Sequence, residues 1–340
     1  MAGIRTFQLE SPAGMAVEII NIGARIMRLT VDGIDVVLGF DCPEDYLPES
    51  HLSDFGAVIG RYANRLAGGR ITVDGQVYQL PQNNGPNCLH GGPRGWQYSL
   101  FDVVSFSSSH VELRLVSPDG DNGFPGTVTA TVKYTLEGNA LRIDYRAETD
   151  SPTVINMTNH SYFNLDGAKS SRCPADNALT TILNHTLQID ADHYTPTDET
   201  AIPLDRHSSV DGTPFDFRNA KPIGRDIEAD DEQLRVGHGY DHNYLLNSPG
   251  LEHPAALLAS PLIGITMRLY TTAPGLHLYT GNFLDGITGK YGATYPRRSA
   301  VCLEAQQYPD SPNRNWPEST GRLLPGHPFE STTIFQFSHD

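Results

Sequence analysis

Residues 126–149 run GTVTATVKYTLEGNALRIDYRAET, and the pattern in this stretch decides the fold. Val128, Ala130, Val132, Tyr134 and Leu136 alternate with Thr129, Thr131, Lys133 and Thr135. A period of two places the first set on one face of a strand, to be buried, and the second on the other. A second run at 140–149 follows after Glu137-Gly138-Asn139, a turn short enough to force antiparallel pairing. Outward from this hairpin, the same alternation predicts strands at 100–106, 110–117 and 332–337. Toward the N-terminus it predicts strands at 15–20, 25–31 and 35–40, the last two joined by Asp32-Gly33, and a tight hairpin of 71–73 and 76–80 around Asp74-Gly75. Asp-Gly suits such turns because both central residues need positive φ. Helical signals are confined to single turns at 43–46 and 222–227. No repeat, low-complexity tract or linker-like shift in composition divides the chain. The expectation is an all-β fold: one large antiparallel β-sandwich spanning 1–340 as a single domain, with long loops in its second half.

Composition narrows the function. The chain carries 32 Gly and 24 Pro in 340 residues, which favours many turns and short strands. Its formal net charge of −16 repels phosphate backbones and anionic lipid, so neither nucleic acid nor a membrane surface is an expected partner. A neutral small molecule fits better. The N-terminal residues lack a charged region followed by an apolar one, and no apolar run approaches the ~20 residues that span a bilayer. These features lead to the expectation of a soluble, cytoplasmic protein, monomeric or a weak homodimer. Cys42, Cys88, Cys173 and Cys302 are scattered with no C-x-x-C pattern, as expected of buried, reduced thiols.

Several segments are polar where a strand should be apolar. Alternation over 155–165 puts Asn156, Thr158, His160, Tyr162 and Asn164 on one face, either a wet face or the wall of a groove. In 300–308, Val301, Leu303 and Ala305 point one way while Cys302, Glu304, Gln306 and Tyr308 point the other. A carboxyl in such a strand is desolvated and becomes a usable base, unless an arginine pairs with it structurally. GRYANR at 60–65 and NNGPNCLHGG at 83–92 combine glycines that turn sharply with Asn, Arg and His, the donors and acceptors that neutral hydroxyls require. Either could equally be a capped turn. Among 13 His, the pair His238 and His242 has i, i+4 spacing, but Gly237 and Gly239 argue against a helix there, and no H-E-x-x-H or clustered Cys/His pattern is present. No metal site and no cofactor are expected.

Taken together, GRYANR at 60–65, NNGPNCLHGG at 83–92, NHSYFNLDG at 159–167, GYDHNY at 239–244, PGLHLYTGNFLDG at 274–286 and LEAQQYPDSPN at 303–313 resemble the aldose 1-epimerase (galactose mutarotase) family, in order and across nearly the whole chain. The resemblance implies a galactose-mutarotase-like β-sandwich with a sugar groove, and an enzyme that interconverts α and β anomers of free aldohexoses such as galactose and glucose. By position, His160 resembles the family's general acid and Glu304 its general base. Arg61, His90 and Asp241 resemble residues that hold sugar hydroxyls, with Asn64 in support. Many relatives carry Gln where this chain has His277, also placed at the sugar. Two rivals stand beside this: a glycoside hydrolase, which needs two carboxyls flanking the bond it cleaves, and a carbohydrate-binding relative without chemistry.

Overall fold

The computed structural model describes residues 3–51, 53–168 and 178–339. In it the hairpin at 126–149 forms as its alternation predicts. Val128–Glu137 and Ala140–Thr149 pair antiparallel from Val128↔Thr149 to Glu137↔Ala140. Val128, Ala130, Val132, Tyr134 and Leu136 are all buried. The hairpin lies within a nine-stranded antiparallel sheet. Its strands run, edge to edge, Asp102–Phe106, His110–Ser117, Val128–Glu137, Ala140–Thr149, Phe329–His339, Ile265–Thr271, Ala256–Ala259, Thr186–Ile189 and Lys221–Pro222. The C-terminal strand Phe329–His339 therefore closes the sheet at its middle, beside Ala140–Thr149.

A four-stranded sheet (Thr6–Glu10, Met15–Ile20, Arg25–Val31, Ile34–Asp35) and a five-stranded sheet (Ser208–Ser209, His193–Thr195, Asp241–Leu245, Gly275–Tyr279, Cys302–Gln306) supply the rest of the sandwich. One hydrophobic cluster joins all three. It contains Val17 and Leu29 of the four-stranded sheet, Val132, Ile143 and Phe335 of the nine-stranded one, and Leu276, Leu278 and Leu303 of the five-stranded one. Each such side chain contributes about 1.5–3 kcal/mol when fully buried. Alternation in the five-stranded sheet has a second consequence. With Leu276, Leu278, Leu303 and Ala305 in that core, His277 and Glu304 must project from the opposite face.

The structure departs from the sequence expectation in several places. Of 35–40, Asp35 alone lies in a strand, the two-residue Ile34–Asp35; the segment then turns to bridge Val37 to Phe163. Of 155–165, the strand proper is Thr158–His160, and every residue from 155 to 165 is buried. Ala57–Ile59 pairs with this segment at Thr158–His160, Val301 bridges it at Phe163, and on its polar face His160 and Tyr162 line a cleft. A helix, Glu232–Gly237, went unforeseen; Asp231 caps it by accepting the N–H groups of Gln233 and Leu234. Cys88 and Cys302 are buried free thiols, Cys42 is free but exposed, and Cys173 lies outside the described residues. Among the described residues, no helix is long and apolar enough to cross a membrane.

Candidate active site

Strand register brings the two candidate acid–base groups together. Phe163 and Val301 form an antiparallel bridge, their backbones exchanging hydrogen bonds of 2.8 and 2.9 Å. Continued three residues, that register sets position 160 opposite position 304. His160 Nε2 stands 3.6 Å from Glu304 Oε1, both side chains almost wholly buried. In the next strand His277 is the direct cross-strand partner of Glu304. Its Nε2–H donates to Asp241 Oδ1 at 2.7 Å. His160 is held by Tyr162, whose ring lies 5.0 Å away at 13°, and by the edge of His90 at 5.3 Å. These groups face one cleft of about 300 Å³, at the small end of the ~300–1,000 Å³ typical of small-molecule sites.

The second wall comes from GRYANR and NNGPNCLHGG. Arg65–Leu66 pairs with Cys88–Leu89, bringing the two motifs side by side. Asn64 and His90 then lock reciprocally: the Asn64 N–H donates to His90 Nδ1 and the His90 N–H to the Asn64 carbonyl, both at 3.1 Å. Gly91, at φ 78°, allows this closeness, since a Cβ there would lie 2.2 Å from the Gly60 carbonyl oxygen. Because His90 Nδ1 accepts, its Nε2 carries the hydrogen in the neutral ring. Asp54, His90 and His160 bring ligand-type atoms within 4.8 Å of one another, but this His90 tautomer offers a hydroxyl a donor rather than a cation a lone pair.

Arg61 is placed differently from the sequence expectation. Its guanidinium donates to the carbonyls of Ser117, Pro118, Pro125 and Gly126 and to Ser117 Oγ, at 2.7–3.1 Å, and it does not line the cleft. Arg65 does, steered by its Nε–H to Asn84 Oδ1 at 2.9 Å. His242 also falls outside. It is fully buried beside Gln233, bonded at 3.1 Å, and His238 is exposed at the helix end, so the two do not converge.

Burial sets the electrostatics. It pushes the Glu304 carboxyl well above the ordinary range, reinforced by Asp241 and Asp54 and opposed by Arg65. It pushes His160 down to about 4, against the pull of Asp54, and His90 to about 3. Among the described residues no lysine or arginine lies within 4.0 Å of Glu304, whose Oε2 has no hydrogen-bond partner. The uncharged pair is thus a carboxylic acid beside a neutral imidazole, and moving that one proton across the gap yields carboxylate and imidazolium. Asp241 differs. Burial would raise it, but the hydrogen bond and charge of His277 outweigh burial and hold it ionised.

A family model described as aldose 1-epimerase matches residues 5–336. The chain belongs to the aldose 1-epimerase family. Galactose mutarotase of Bos taurus is 42% identical to it, the alignment covering 98% of this chain and 94% of that protein. Aldose 1-epimerase of Escherichia coli K12 is also 42% identical, over 98% and 95%. Among solved structures, the GalM/aldose epimerase homologue of C. elegans superposes with TM-score 0.88 at 30% identity, covering 99% of both chains. Galactose 1-epimerase of Lactobacillus acidophilus NCFM gives 0.84 at 31%, covering 99% and 98%. These neighbours share the all-β, galactose-mutarotase-like fold expected here.

This aldose 1-epimerase family member has cleft residues that sequence reasoning did not single out: Asp54, Arg65, Asn84, Tyr279 and Phe283. Arg65, Asn84, Tyr279 and Phe283 lay within quoted motifs, where composition showed polarity or aromaticity but not which side chain turns inward. Asp54 sat in no motif.

Proposed function

We propose that this chain is an aldose 1-epimerase acting on free aldohexoses such as galactose and glucose, with His160 and Glu304 exchanging protons with the sugar. Anomer exchange breaks and remakes the bond between C1 and the ring oxygen. A base takes the proton of the C1 hydroxyl while an acid protonates the ring oxygen, giving the open aldehyde; C1–C2 rotation and closure with the roles reversed give the other anomer. Both reacting oxygens are bonded to C1, so acid and base must stand within a few ångströms of each other. Supporting this is the 3.6 Å between His160 Nε2 and Glu304 Oε1 at the cleft wall, with Glu304 Oε2 lacking a hydrogen-bond partner among the described residues. Asp241, the carboxyl that the sequence offered as a glycoside hydrolase's second, is instead tied to His277.

In this assignment His90 Nε2–H, Arg65, Asp241 and His277 bind hydroxyls, and Asn64 orients His90 and Arg65 through its carbonyl, its N–H and its Oδ1. Tyr279 and Phe283 give the ring an apolar surface. No cofactor is assigned, since the proton count closes on two side chains. The core continuous through all three sheets supports one domain over 1–340, and the free thiols Cys88 and Cys302 suit a cytoplasmic setting.

The test is polarimetry on freshly dissolved α-D-glucose and α-D-galactose. The wild type accelerates relaxation over buffer, and Glu304→Gln lowers kcat by about 10²–10⁴-fold, as expected for loss of a positioned base, with an unchanged thermal melt. Relaxation by Glu304→Gln at the wild-type rate would remove Glu304 from the chemistry.

A further inference from the structure

Asp54 is the carboxylate that neither the family motifs nor the acid–base pair accounts for. It is half-buried, lines the cleft, and has an oxygen within 4.8 Å of a ring nitrogen of both His90 and His160. Among the described residues, its buried Oδ1 has no hydrogen-bond partner.

The backbone around it is fixed from two sides. Arg25, fully buried, donates to the carbonyls of Phe55 at 2.8 Å and Ser53 at 2.9 Å, clamping the residues before and after Asp54. The Gly56 N–H donates to the His160 carbonyl at 3.0 Å, and Asn159 Nδ2 donates to the Gly56 carbonyl at 2.8 Å, so the Asp54 segment is tied to the His160 strand. Gly56 sits at φ 67° with its Cα against the Ile26 carbonyl, where a Cβ would come to 2.0 Å.

The other groups facing His160 are already engaged. Glu304 is the reacting partner. Asp241 is bonded to His277. His90 accepts from Asn64 and is neutral, its imidazole pushed down to about 3 by burial. Tyr162 and Tyr279 are raised by burial and stay un-ionised. Arg65, across the cleft, carries the opposite charge and favours Glu304 as carboxylate. Among the described residues, Asp54 is left as the fixed negative charge beside the imidazole without a cation bonded to its carboxylate.

From this geometry we infer that Asp54 is an electrostatic positioning residue: its charge draws the proton shared by His160 and Glu304 toward the imidazole, making the imidazolium that protonates the ring oxygen. This rests on the proposed acid role of His160. A negative charge at this range raises the affinity of the pair for its one proton, so removing it lets that proton leave at lower pH.

The experiment is the pH dependence of kcat and kcat/KM for wild type, Asp54→Asn, Asp54→Ser and Asp54→Glu, followed by polarimetry. Asp54→Asn and Asp54→Ser should move the alkaline limb down by about one pH unit and lower kcat at pH 7 about tenfold, with KM little changed. Asp54→Glu, which keeps the charge, should retain the wild-type limb. The limb must follow charge and not size, so if the Asn variant fails to fold, the Ser and Glu variants still decide. An unmoved limb in the uncharged variants overturns the inference, even where kcat falls, because a merely structural role lowers kcat without shifting the profile. An inactive wild type, or an active Glu304→Gln, would instead overturn the function proposed above.

Discussion

Arg61 and Arg65 share the loop GRYANR, and the sequence shows two arginines suited to hydroxyls without showing which one turns inward. The backbone decides. Asn64, at φ 66°, reverses the chain between them, so that Arg61 reaches back to 117–126 while Arg65 faces the cleft beside Asn84. The two should therefore fail differently. Arg61→Ala strips the donors from several buried carbonyls and is expected to cost about 3 kcal/mol or more of stability. Arg65→Ala should leave the urea melt near wild type and raise KM for galactose instead. Paired melts and polarimetric KM values measure both; a stable Arg61→Ala with a raised KM would return Arg61 to the sugar. His160, Glu304, His90, Asp241 and His277 were legible because each is a chemically distinctive side chain inside a polar motif. Asp54 was not, since an aspartate in a loop carries no signal until the fold sets it beside an imidazole.

At the scale of elements, long alternating strands were legible, as was the short hairpin of Arg70–Val73 and Gln76–Gln79 that Asp74-Gly75 marks, while the short strands of the site were not. His110–Ser117 and Ala140–Thr149 fall where alternation puts them, because eight or ten residues display the period several times. The elements that build the site are shorter. Thr158–His160 spans three residues, and its position follows from a bridge between Phe163 and Val301, a contact far apart in sequence. The truncated strand at 35–40 has a similar cause. Asp35 turns inward to a buried ion pair with Lys290, at 2.8 Å, and Lys290 Nζ also donates to the Val37 carbonyl at 2.8 Å. The chain is pinned there and cannot continue its sheet. Burial lowers the Lys290 pKa, against the pull of Asp35. Lys290→Met should cost about 3–5 kcal/mol, because it strands the Asp35 carboxylate in the interior. Replacing both partners, with Asp35→Leu added, should recover much of that loss. Urea denaturation of the single and double variants checks this, and a single variant as stable as wild type would show that the pair does not hold the segment.

Across the whole molecule, the same burial that tunes the site makes the fold sensitive to acid. His90 and His242 are pushed down to about 3, and His160 and His185 to about 4, all by desolvation. Three of these rings also accept a backbone N–H: His90 from Asn64, His185 from Leu165 and His242 from Asp241. Protonation would set a ring N–H against that donor. The unfolded chain takes up these protons near the ordinary value of 6.5, while the folded chain resists until about 4 or below. Stability is therefore intact above 6.5 and falls as pH drops from there toward 4. Shifts of this size correspond to roughly 3–5 kcal/mol for each histidine, so a few together rival the ~5–15 kcal/mol that holds a typical domain. Asp241, held low by His277, adds to the loss at still lower pH. Glu304 works in the other sense: its raised carboxyl takes up a proton in the folded chain first, so its penalty shrinks as pH falls toward the ordinary value of 4.5 and offsets part of the histidine loss. Melting temperature should thus be level from pH 8 to 7 and fall steeply between 6.5 and 4.5. His185→Gln, remote from the cleft, removes one of these protonations while leaving an acceptor for the Leu165 N–H, and should flatten the curve without changing turnover. A melting temperature that holds constant down to pH 4.5 would mean that these imidazoles do not link protons to folding.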